Sequence, residues 1–378
     1  MQNYIEIIKN AILFFPIVAF FITIPYILIQ YHKFGSVYYY RSIIVYSFIL
    51  YLIVAYFLII FPLPSKEEVA LLTTPRWQLQ PFSFLLDIIN KSPLEISDIT
   101  TYLPTLKSQV FRQAFFNILL CIPFGIYLHY YFKNSLKKTV VLTFCLSLFF
   151  ELTQLTGLYF IYPRNYRLFD VDDLILNTTG GLIGYFLGSI ILRFLPNRNK
   201  IDEIALNQGM KVSFIKRCVA FILDLILFHL LFTITNVFVQ RFISSNLTSR
   251  IVYVLLLIYY FVIRPTAKNS QTYGQQFLNL KLICITSTAN PKWHQILLYY
   301  WYFYFFSFGS ITFISIAIMY LKEKEIISTN TYTVILLSFI ILYLLCALLY
   351  FIKRILNKEL IFEKLSGLKL KSTIKKTF

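Results

Sequence analysis

The sequence predicts an all-α, polytopic integral membrane protein with about nine transmembrane helices, arranged as five helices followed by four. Two observations support this prediction. Hydrophobic residues make up 58% of the 378 residues and charged residues only 14%, whereas soluble proteins are about half apolar and about a quarter charged. The apolar residues also fall in runs of about 20, the length of a helix that crosses a bilayer. This composition excludes a soluble enzyme and a disordered chain.

Nine apolar runs are the candidate spans, and they lie at residues 11–31, 42–62, 111–132, 139–160, 174–195, 212–236, 250–264, 293–320 and 332–352. The polar stretch at residues 198–211 separates the fifth run from the sixth and predicts a cytoplasmic linker. We therefore divide the chain into a first half at residues 1–197, this linker, and a second half at residues 212–378 that ends in a basic tail.

The distribution of basic residues predicts the orientation. The formal net charge is +18, and most of the 35 Lys and Arg residues lie at one set of span ends. Because cytoplasmic loops carry an excess of Lys and Arg, the N-terminus is predicted outside and the C-terminus inside a bacterial cytoplasmic membrane. We expect the basic charge to meet anionic membrane lipids rather than nucleic acid. The Cys and His residues show no metal-ligand spacing, so no metal or cofactor is predicted.

Polar and ionisable side chains are costly inside a bilayer and require an explanation. In the first half they gather near the predicted outer ends of the third to fifth spans and in the loop after the fourth. We interpret them as a polar site for a ligand at the outer leaflet; the alternative is an ion-pair network that only fixes the helix bundle. The residues are Arg112, Asn117, Glu151, Gln154, Arg167, Asp170, Asp172, Asp173 and Asn177.

Two features of the fifth span have simple structural interpretations. Gly180, Gly184 and Gly188 recur every four residues, which predicts close packing against a neighbouring helix. Asp173, with Asp172 beside it, is predicted to cap the N-terminus of this helix. A divalent cation bound by the three aspartates of the same stretch is the alternative.

Four segments of the first half resemble the motifs of the VanZ-like family. Residues 167–184, RLFDVDDLILNTTGGLIG, resemble the family's signature, and residues 151–154 resemble its E-x-x-Q. Residues 117–125 resemble its N-x-x-x-F-x-P-x-G, with a cysteine in place of the usual aromatic, and residues 80–82 resemble its N-x-x-P-F. The resemblance covers roughly residues 40–195.

This resemblance implies resistance to teicoplanin-type glycopeptides, the trait that names the family. The ligand of the polar site would then be a glycopeptide, a lipid headgroup or a cell-wall precursor. We expect Arg112 and Arg167 to recognise an anionic group, with Glu151 and Asp173 orienting them. An enzyme that remodels a lipid or wall precursor through the same two carboxylates is an alternative. The sequence shows no nucleophile–base pair that favours it.

The second half contains its own charged pair. Arg217 and Asp224 lie seven residues apart, on one face of the sixth span. They predict either a buried pair that ties helices together or an ion or proton path. Together with residues 270–282 and the stretch around Glu363, they resemble an RDD-family domain, in which the family has Asp where this chain has Glu363. The resemblance covers about residues 212–378 and implies transport, so an ion- or proton-coupled transporter is the second functional hypothesis.

Overall fold

The computed structural model describes residues 2–243, 245–287, 289–304 and 360–375, together with positions 319, 320, 331, 333–341, 345 and 348. Helices predominate among them. The helices up to residue 191 are α1 (Gln2–Phe34), α2 (Tyr39–Ile60), α3 (Lys66–Ala70), α4 (Ser83–Lys91), α5 (Tyr102–Lys107), α6 (Gln109–Tyr130), α7 (Leu136–Leu155), α8 (Gly157–Phe160) and α9 (Val171–Ile191). The later helices are α10 (Arg198–Gly209), α11 (Phe214–Gln240), α12 (Asn246–Ile258), α13 (Arg264–Ala267), α14 (Tyr273–Phe277), α15 (Trp293–Tyr304) and α16 (Ile361–Ser366).

Seven helices of the described part are long and apolar enough to cross a membrane. They are α1, α2, α6, α7, α9, α11 and the continuous run Asn246–Ala267, in which a π-helical turn at Tyr259–Ile263 joins α12 to α13. Each overlaps one of the first seven predicted spans. About half of each of the predicted spans at 293–320 and 332–352 lies outside the described residues, so the count of nine and the five-plus-four arrangement stay predictions.

Two small sheets accompany the helices. β1 (Trp77–Gln78) pairs in parallel with β2 (Phe169–Asp170). β3 (Leu280–Cys284) pairs antiparallel with β4 (Leu368–Ser372). Each pairing joins segments far apart in the sequence. The alternation after Gly274 indicates a short strand where β3 begins, but local hydrophobic patterns do not indicate which segment a strand pairs with.

The described chain divides into two compact units. The first contains Met1–Pro25 and Tyr38–Glu203, and the second contains Tyr26–Val37 and Ile204–Phe378. The predicted linker at residues 198–211 includes helix α10. In the first unit, α9 packs against both α6 and α7, and this three-helix group positions the polar residues singled out from the sequence.

Glycines let α6 and α9 approach closely. A Cβ atom added at Gly180 would overlap the carbonyl oxygen of Ile118 on α6, and one added at Gly184 would overlap that of Ile122. At Gly188 the nearest atoms are side-chain atoms of His129, at 3.2 Å. The two helices are thus in backbone contact at Gly180 and Gly184, and they have more room at Gly188.

Replacing Gly180 by Ala is expected to destabilise the first unit. The new methyl group meets a backbone carbonyl that cannot move aside without shifting α6, and overpacking of this kind costs about 1–3 kcal/mol. Denaturant unfolding in mixed micelles measures the loss. Gly188→Ala is the matched control, because its neighbour is a side chain that can rotate. Equal stability of the two variants would contradict the backbone contact.

A tight turn at the end of α7 brings the next loop back over the helix bundle. Gly157, Leu158, Tyr159 and Phe160 all have left-handed φ values, of 60°, 56°, 57° and 67°. Gly157 is required there, because a Cβ atom would lie 2.6 Å from the carbonyl oxygen of Arg164. The reversal places the loop that leads into β2 beside the end of α7.

Candidate functional site

The centre of the candidate site is Glu151, near the C-terminal end of α7. Its side chain is 1% exposed, and its Oε2 accepts a hydrogen bond from the backbone N–H of Asp170 at 2.9 Å. Glu151 also interacts electrostatically with Asp173, Asp170 and Arg167. Four residues that the sequence groups into one site therefore lie close together.

Asp173 links α9 to both neighbouring helices. Its carboxylate accepts a hydrogen bond from Nδ2 of Asn117 on α6, and its backbone carbonyl accepts one from Oγ of Ser147 on α7 at 3.4 Å. One turn further along α9, Asn177 donates from Nδ2 to the same Ser147 Oγ at 2.9 Å. Sequence reasoning missed Ser147. The available signal was its position four residues before Glu151, on the same helix face.

Asp170, rather than Asp173, caps α9. Its carboxylate accepts a hydrogen bond from the backbone N–H of Asp172 at 2.8 Å. Burial raises the pKa of the Asp170 carboxyl, and this capping bond opposes the rise. The predicted cap by Asp173 is therefore wrong, because Asp173 lies inside the first turn and directs its carboxylate to Asn117.

The third aspartate, Asp172, binds the N-terminus of α4. Its carboxylate accepts hydrogen bonds from the N–H of Phe82 at 2.6 Å, Oγ of Ser83 at 2.6 Å and the N–H of Phe84 at 2.8 Å. A helix N-terminus favours a negative charge at this place. Asp172 thus holds the connection between α2 and α6 in position.

The three aspartates do not converge on a common point. Each meets a different partner: Asp170 caps its own helix, Asp172 binds α4, and Asp173 binds α6. Within the part of the chain that the structure describes, no group of three His, Cys, Asp or Glu side chains is placed to hold a metal ion. The contacts therefore give no support to the divalent-cation alternative.

The loop between α8 and β2 binds the connection after α2 through side-chain donors. Asn165 Nδ2 donates to the carbonyl of Arg76 at 2.8 Å, and Tyr166 OH donates to that of Ile60 at 2.7 Å. Burial raises the pKa of Tyr166 to about 12, so its hydroxyl keeps the proton that it donates. These two side chains, just before the signature-like residues 167–184, thus hold the loop against the end of α2 and the segment after it.

Two further predicted residues also bind backbone at this end of α2. Arg167 donates from a guanidinium nitrogen to the carbonyl of Phe61, and Gln154 donates from Nε2 to the carbonyl of Ile59 at 3.2 Å. Arg167 remains within electrostatic reach of Glu151. Both side chains therefore join the site to α2, a connection that the spacing of the motifs did not indicate.

Arg112 differs from the other members of the predicted set. It lies exposed in the first turns of α6, and the contact described for its guanidinium is a 3.4 Å hydrogen bond to the carbonyl of Ser108 in the preceding turn. Its charge is therefore accessible from outside the protein, whereas Glu151 is buried and Asp173 is half-buried.

Part of the first half is similar to known proteins. Residues 48–193 match the family model described as VanZ/LLP1. All four segments that carry the VanZ-like resemblance lie inside this match, so that part of the prediction is confirmed. Protein VanZ of Enterococcus faecium is 31% identical over 101 residues, which cover 26% of this chain and 58% of that relative. The chain thus spans little more than half the length of this relative. No solved structure matches the chain.

The family match ends before the second half, so the RDD-like assignment of residues 212–378 stays a prediction. In that half, Arg217 does not pair with Asp224. Its guanidinium instead binds Oε1 of Glu363 at 2.6 Å. The other carboxylate oxygen of Glu363 accepts the N–H of Leu360 at 3.1 Å, at the start of α16.

Asp224 has a separate set of partners. It is 3% exposed, and its carboxylate accepts hydrogen bonds from Tyr260 OH at 2.9 Å, Thr272 Oγ1 at 2.6 Å and the N–H of Gly274 at 2.7 Å. Tyr260 lies in the π-helical turn, and Thr272 and Gly274 lie in the segment that resembles the RDD motif. Arg217 and Asp224, predicted as one pair, therefore make two separate sets of contacts. Each set joins α11 to a segment distant in the sequence.

Proposed function

We propose that the protein lies in a bacterial cytoplasmic membrane, with its N-terminus outside and its C-terminus inside, and reduces the action of teicoplanin-type glycopeptides at the outer leaflet. The observation that carries this proposal is the polar site around Glu151 and Asp173, enclosed at one end of the α6, α7 and α9 bundle. The VanZ/LLP1 match over residues 48–193 and the similarity to Protein VanZ support it.

In this proposal the exposed and the buried charges have different tasks. Arg112 is accessible and meets an anionic group of a glycopeptide, a lipid headgroup or a cell-wall precursor. Glu151 and Asp173, with Arg167 beside them, hold the ends of the three helices and the cap in the arrangement that presents this surface. The site therefore depends on these two carboxylates even where they do not touch the ligand.

Glu151→Gln and Asp173→Asn are each expected to remove teicoplanin protection. Removing one partner of a hydrogen bond to a charged group costs roughly 1.5–3 kcal/mol, about one to two orders of magnitude in a binding constant. The measurement is the teicoplanin and vancomycin susceptibility of a sensitive Gram-positive host that expresses each form at equal membrane level. The parent protein should protect against teicoplanin more than against vancomycin.

Glu67→Gln is the matched control, because Glu67 is an exposed carboxylate in the same connection between α2 and α6. It should protect as well as the parent. Absence of protection by a well-expressed parent would overturn the proposed function. Full protection by both site variants would reduce the polar cluster to a network that only fixes the bundle.

A further inference from the structure

The end of the helix bundle opposite to Glu151 contains an open cavity of about 250 Å³. One wall is the C-terminal end of α6 with the turn that follows it, and the other is the connection between α9 and α10. All the described lining residues belong to the first unit, and no carboxylate is among them. They are His129, Tyr130, Lys133, Asn134, Leu192 and Asn197.

Two hydrogen bonds join the walls of this cavity. Tyr130 OH donates to the carbonyl of Pro196 at 3.1 Å, and a guanidinium nitrogen of Arg198 donates to the carbonyl of Tyr131 at 2.7 Å. The same guanidinium lies over the ring of Tyr131, 4.9 Å from its centre. The cavity is therefore formed by the folded bundle itself, as ligand pockets usually are.

Lys133 brings a positive charge to the cavity that no described carboxylate neutralises. Its Nζ donates a hydrogen bond to Oδ1 of Asn199, a neutral partner, and Lys133 takes part in none of the ion pairs among the described residues. The first carboxylate of α10, Asp202, pairs instead with Arg41 and Arg198. Because an ammonium group has three donors, Lys133 can still bind an anion in the cavity.

The backbone at Lys133 shows that ending the helix does not require a lysine there. Its φ of 54° lies in the left-handed region, and the N–H of the next residue, Asn134, donates to the carbonyl of Leu128 at 2.9 Å. Glycine is the usual residue at this position of a helix C-terminus, because it adopts the left-handed conformation without strain. The chain thus holds an ammonium group where glycine would fold more easily.

Two side-chain amides add neutral donors to the same cavity. Asn197 Oδ1 accepts the N–H of Asn199 at 3.1 Å, which fixes the orientation of the amide. Its NH₂ group makes no hydrogen bond to the rest of the described chain, and the same holds for the side chain of Asn134. An ammonium and two amides around one cavity, without a carboxylate, suit a negatively charged group that has several acceptor oxygens.

The phosphate of a lipid headgroup has these properties. Lysine is a common phosphate ligand in proteins, and the cavity is smaller than the roughly 300–1,000 Å³ of a site for a drug-sized molecule. Because α6 and α9 are spanning helices, their ends lie at the level of the lipid headgroups. Exposed basic residues around the cavity, Lys137, Arg193 and Lys200, favour an anionic headgroup over one that carries a cation.

We propose that this cavity binds the phosphate of an anionic phospholipid, with Lys133 Nζ supplying the charge and the amides of Asn134 and Asn197 supplying further hydrogen bonds. In the proposed orientation this lipid belongs to the inner leaflet, on the opposite side of the membrane from the proposed glycopeptide protection. The inference goes beyond that function and does not depend on it.

Native mass spectrometry of the full chain in detergent micelles tests the site, because it counts the lipids bound to each protein. The chain is titrated with dioleoylphosphatidylglycerol and, in parallel, with dioleoylphosphatidylcholine. The parent should bind its first phosphatidylglycerol roughly tenfold more tightly than its first phosphatidylcholine. Lys133→Gln should weaken the binding of that phosphatidylglycerol roughly tenfold, the effect of losing one hydrogen bond to a charged group.

Lys137→Gln is the matched control, because Lys137 is an exposed lysine at the same end of the bundle and does not line the cavity. It removes the same charge and should bind phosphatidylglycerol as the parent does. Lys133→Gly removes the side chain and suits the left-handed backbone. It should lose the binding without lowering the midpoint of thermal unfolding, which separates a ligand contact from a role in the fold.

Three results would overturn the proposal: equal affinity of the parent for the two lipids, unchanged affinity for phosphatidylglycerol in the Lys133 variants, or an equal loss in Lys133→Gln and Lys137→Gln. The last result would reduce the effect to general surface charge. Glycerol 3-phosphate, titrated in the same way, tests a soluble source of the phosphate. If it binds more tightly than phosphatidylglycerol and requires Lys133, the cavity serves a soluble phosphate ester and the assignment to a lipid is wrong.

Discussion

Replacing Glu363 by Gln is expected to lower the free energy of unfolding by about 3–5 kcal/mol, the cost of leaving one member of a buried ion pair without its partner. The Glu363 side chain is 1% exposed and that of Arg217 is 11% exposed, and their charged atoms are 2.6 Å apart. In the variant, an uncharged amide meets a buried guanidinium. Its Nε2 would face another donor, while its Oε1 could serve only one of the two former donors.

The double variant Arg217→Met, Glu363→Gln separates the buried charge from the rest of the contact. Methionine fills similar space without a charge, and the glutamine oxygen can still accept the N–H of Leu360. Replacing a buried pair by apolar side chains is often close to neutral. We therefore expect the double variant to recover most of the stability that Glu363→Gln loses. A double variant as unstable as the sum of the two single variants would contradict a specific pairing.

The exposed pair of Lys91 and Asp87 provides a control for the measured free energy of unfolding. These charges are 2.7 Å apart on α4, and the side chains are 63% and 42% exposed. Solvent screens a pair of this kind, so Asp87→Asn should cost less than about 1 kcal/mol. The comparison tests whether burial, rather than the short distance, explains the large loss of stability expected when the Arg217–Glu363 pair is broken.

Hydrophobic runs predicted the helices well because the thickness of a bilayer sets the length of a helix that crosses it. Each of the first seven predicted spans overlaps an observed helix, since a run of about 20 apolar residues has few alternatives to a membrane helix. The polar residues of the first half were grouped together for a related reason. Glu151, Asp173 and Asn117 lie near corresponding ends of their helices, so adjacent packing brings them into contact.

The partners of individual side chains could not be predicted in the same way. Helix periodicity put Arg217 and Asp224 on one face, but seven residues correspond to about 10 Å along the axis, too far for an ion pair without stretching. The actual partner, Glu363, comes from the end of the chain. Periodicity shows which face of a helix is polar, and only the tertiary fold decides what that face meets.

Asp172 is a second residue whose partner the sequence could not predict. Its position among three aspartates predicted a place in the ligand site, whereas its carboxylate binds the start of α4. The segment around Phe82 resembled a family motif, but nothing in its sequence indicated that Asp172 would bind it. A carboxylate can serve a ligand, its own helix or another helix, and the residue type is the same in each case.

Asp172→Asn is expected to release α4 and to lower the stability of the first unit by about 1–3 kcal/mol, the cost of leaving a buried donor unsatisfied. The carboxylate now accepts two backbone N–H groups and the Ser83 hydroxyl. Asparagine keeps only one of the two acceptor oxygens. Its side-chain NH₂ group, a donor, would then face the backbone N–H of Phe84 and the hydroxyl of Ser83, which now donate to the second oxygen.

The backbone at Phe82 increases the effect. Its φ of 64° lies in the left-handed region, which costs a residue with a side chain about 1–2 kcal/mol. The bond from its N–H to Asp172 helps to hold this conformation. Once that bond is weakened, the residue can relax to negative φ, and the N-terminal turn of α4 opens with it.

Hydrogen exchange at residues 82–91 measures this opening, and limited proteolysis between α3 and α5 gives an independent readout. Both should increase in Asp172→Asn. Asp98→Asn is the control, because Asp98 caps an exposed turn through Thr100, which holds the pKa of its carboxyl below the usual value. That variant should leave exchange in α4 unchanged. If Asp172→Asn exchanges like the parent, then the connection between α2 and α6 is held mainly by Asn165, Tyr166 and the β1–β2 pairing.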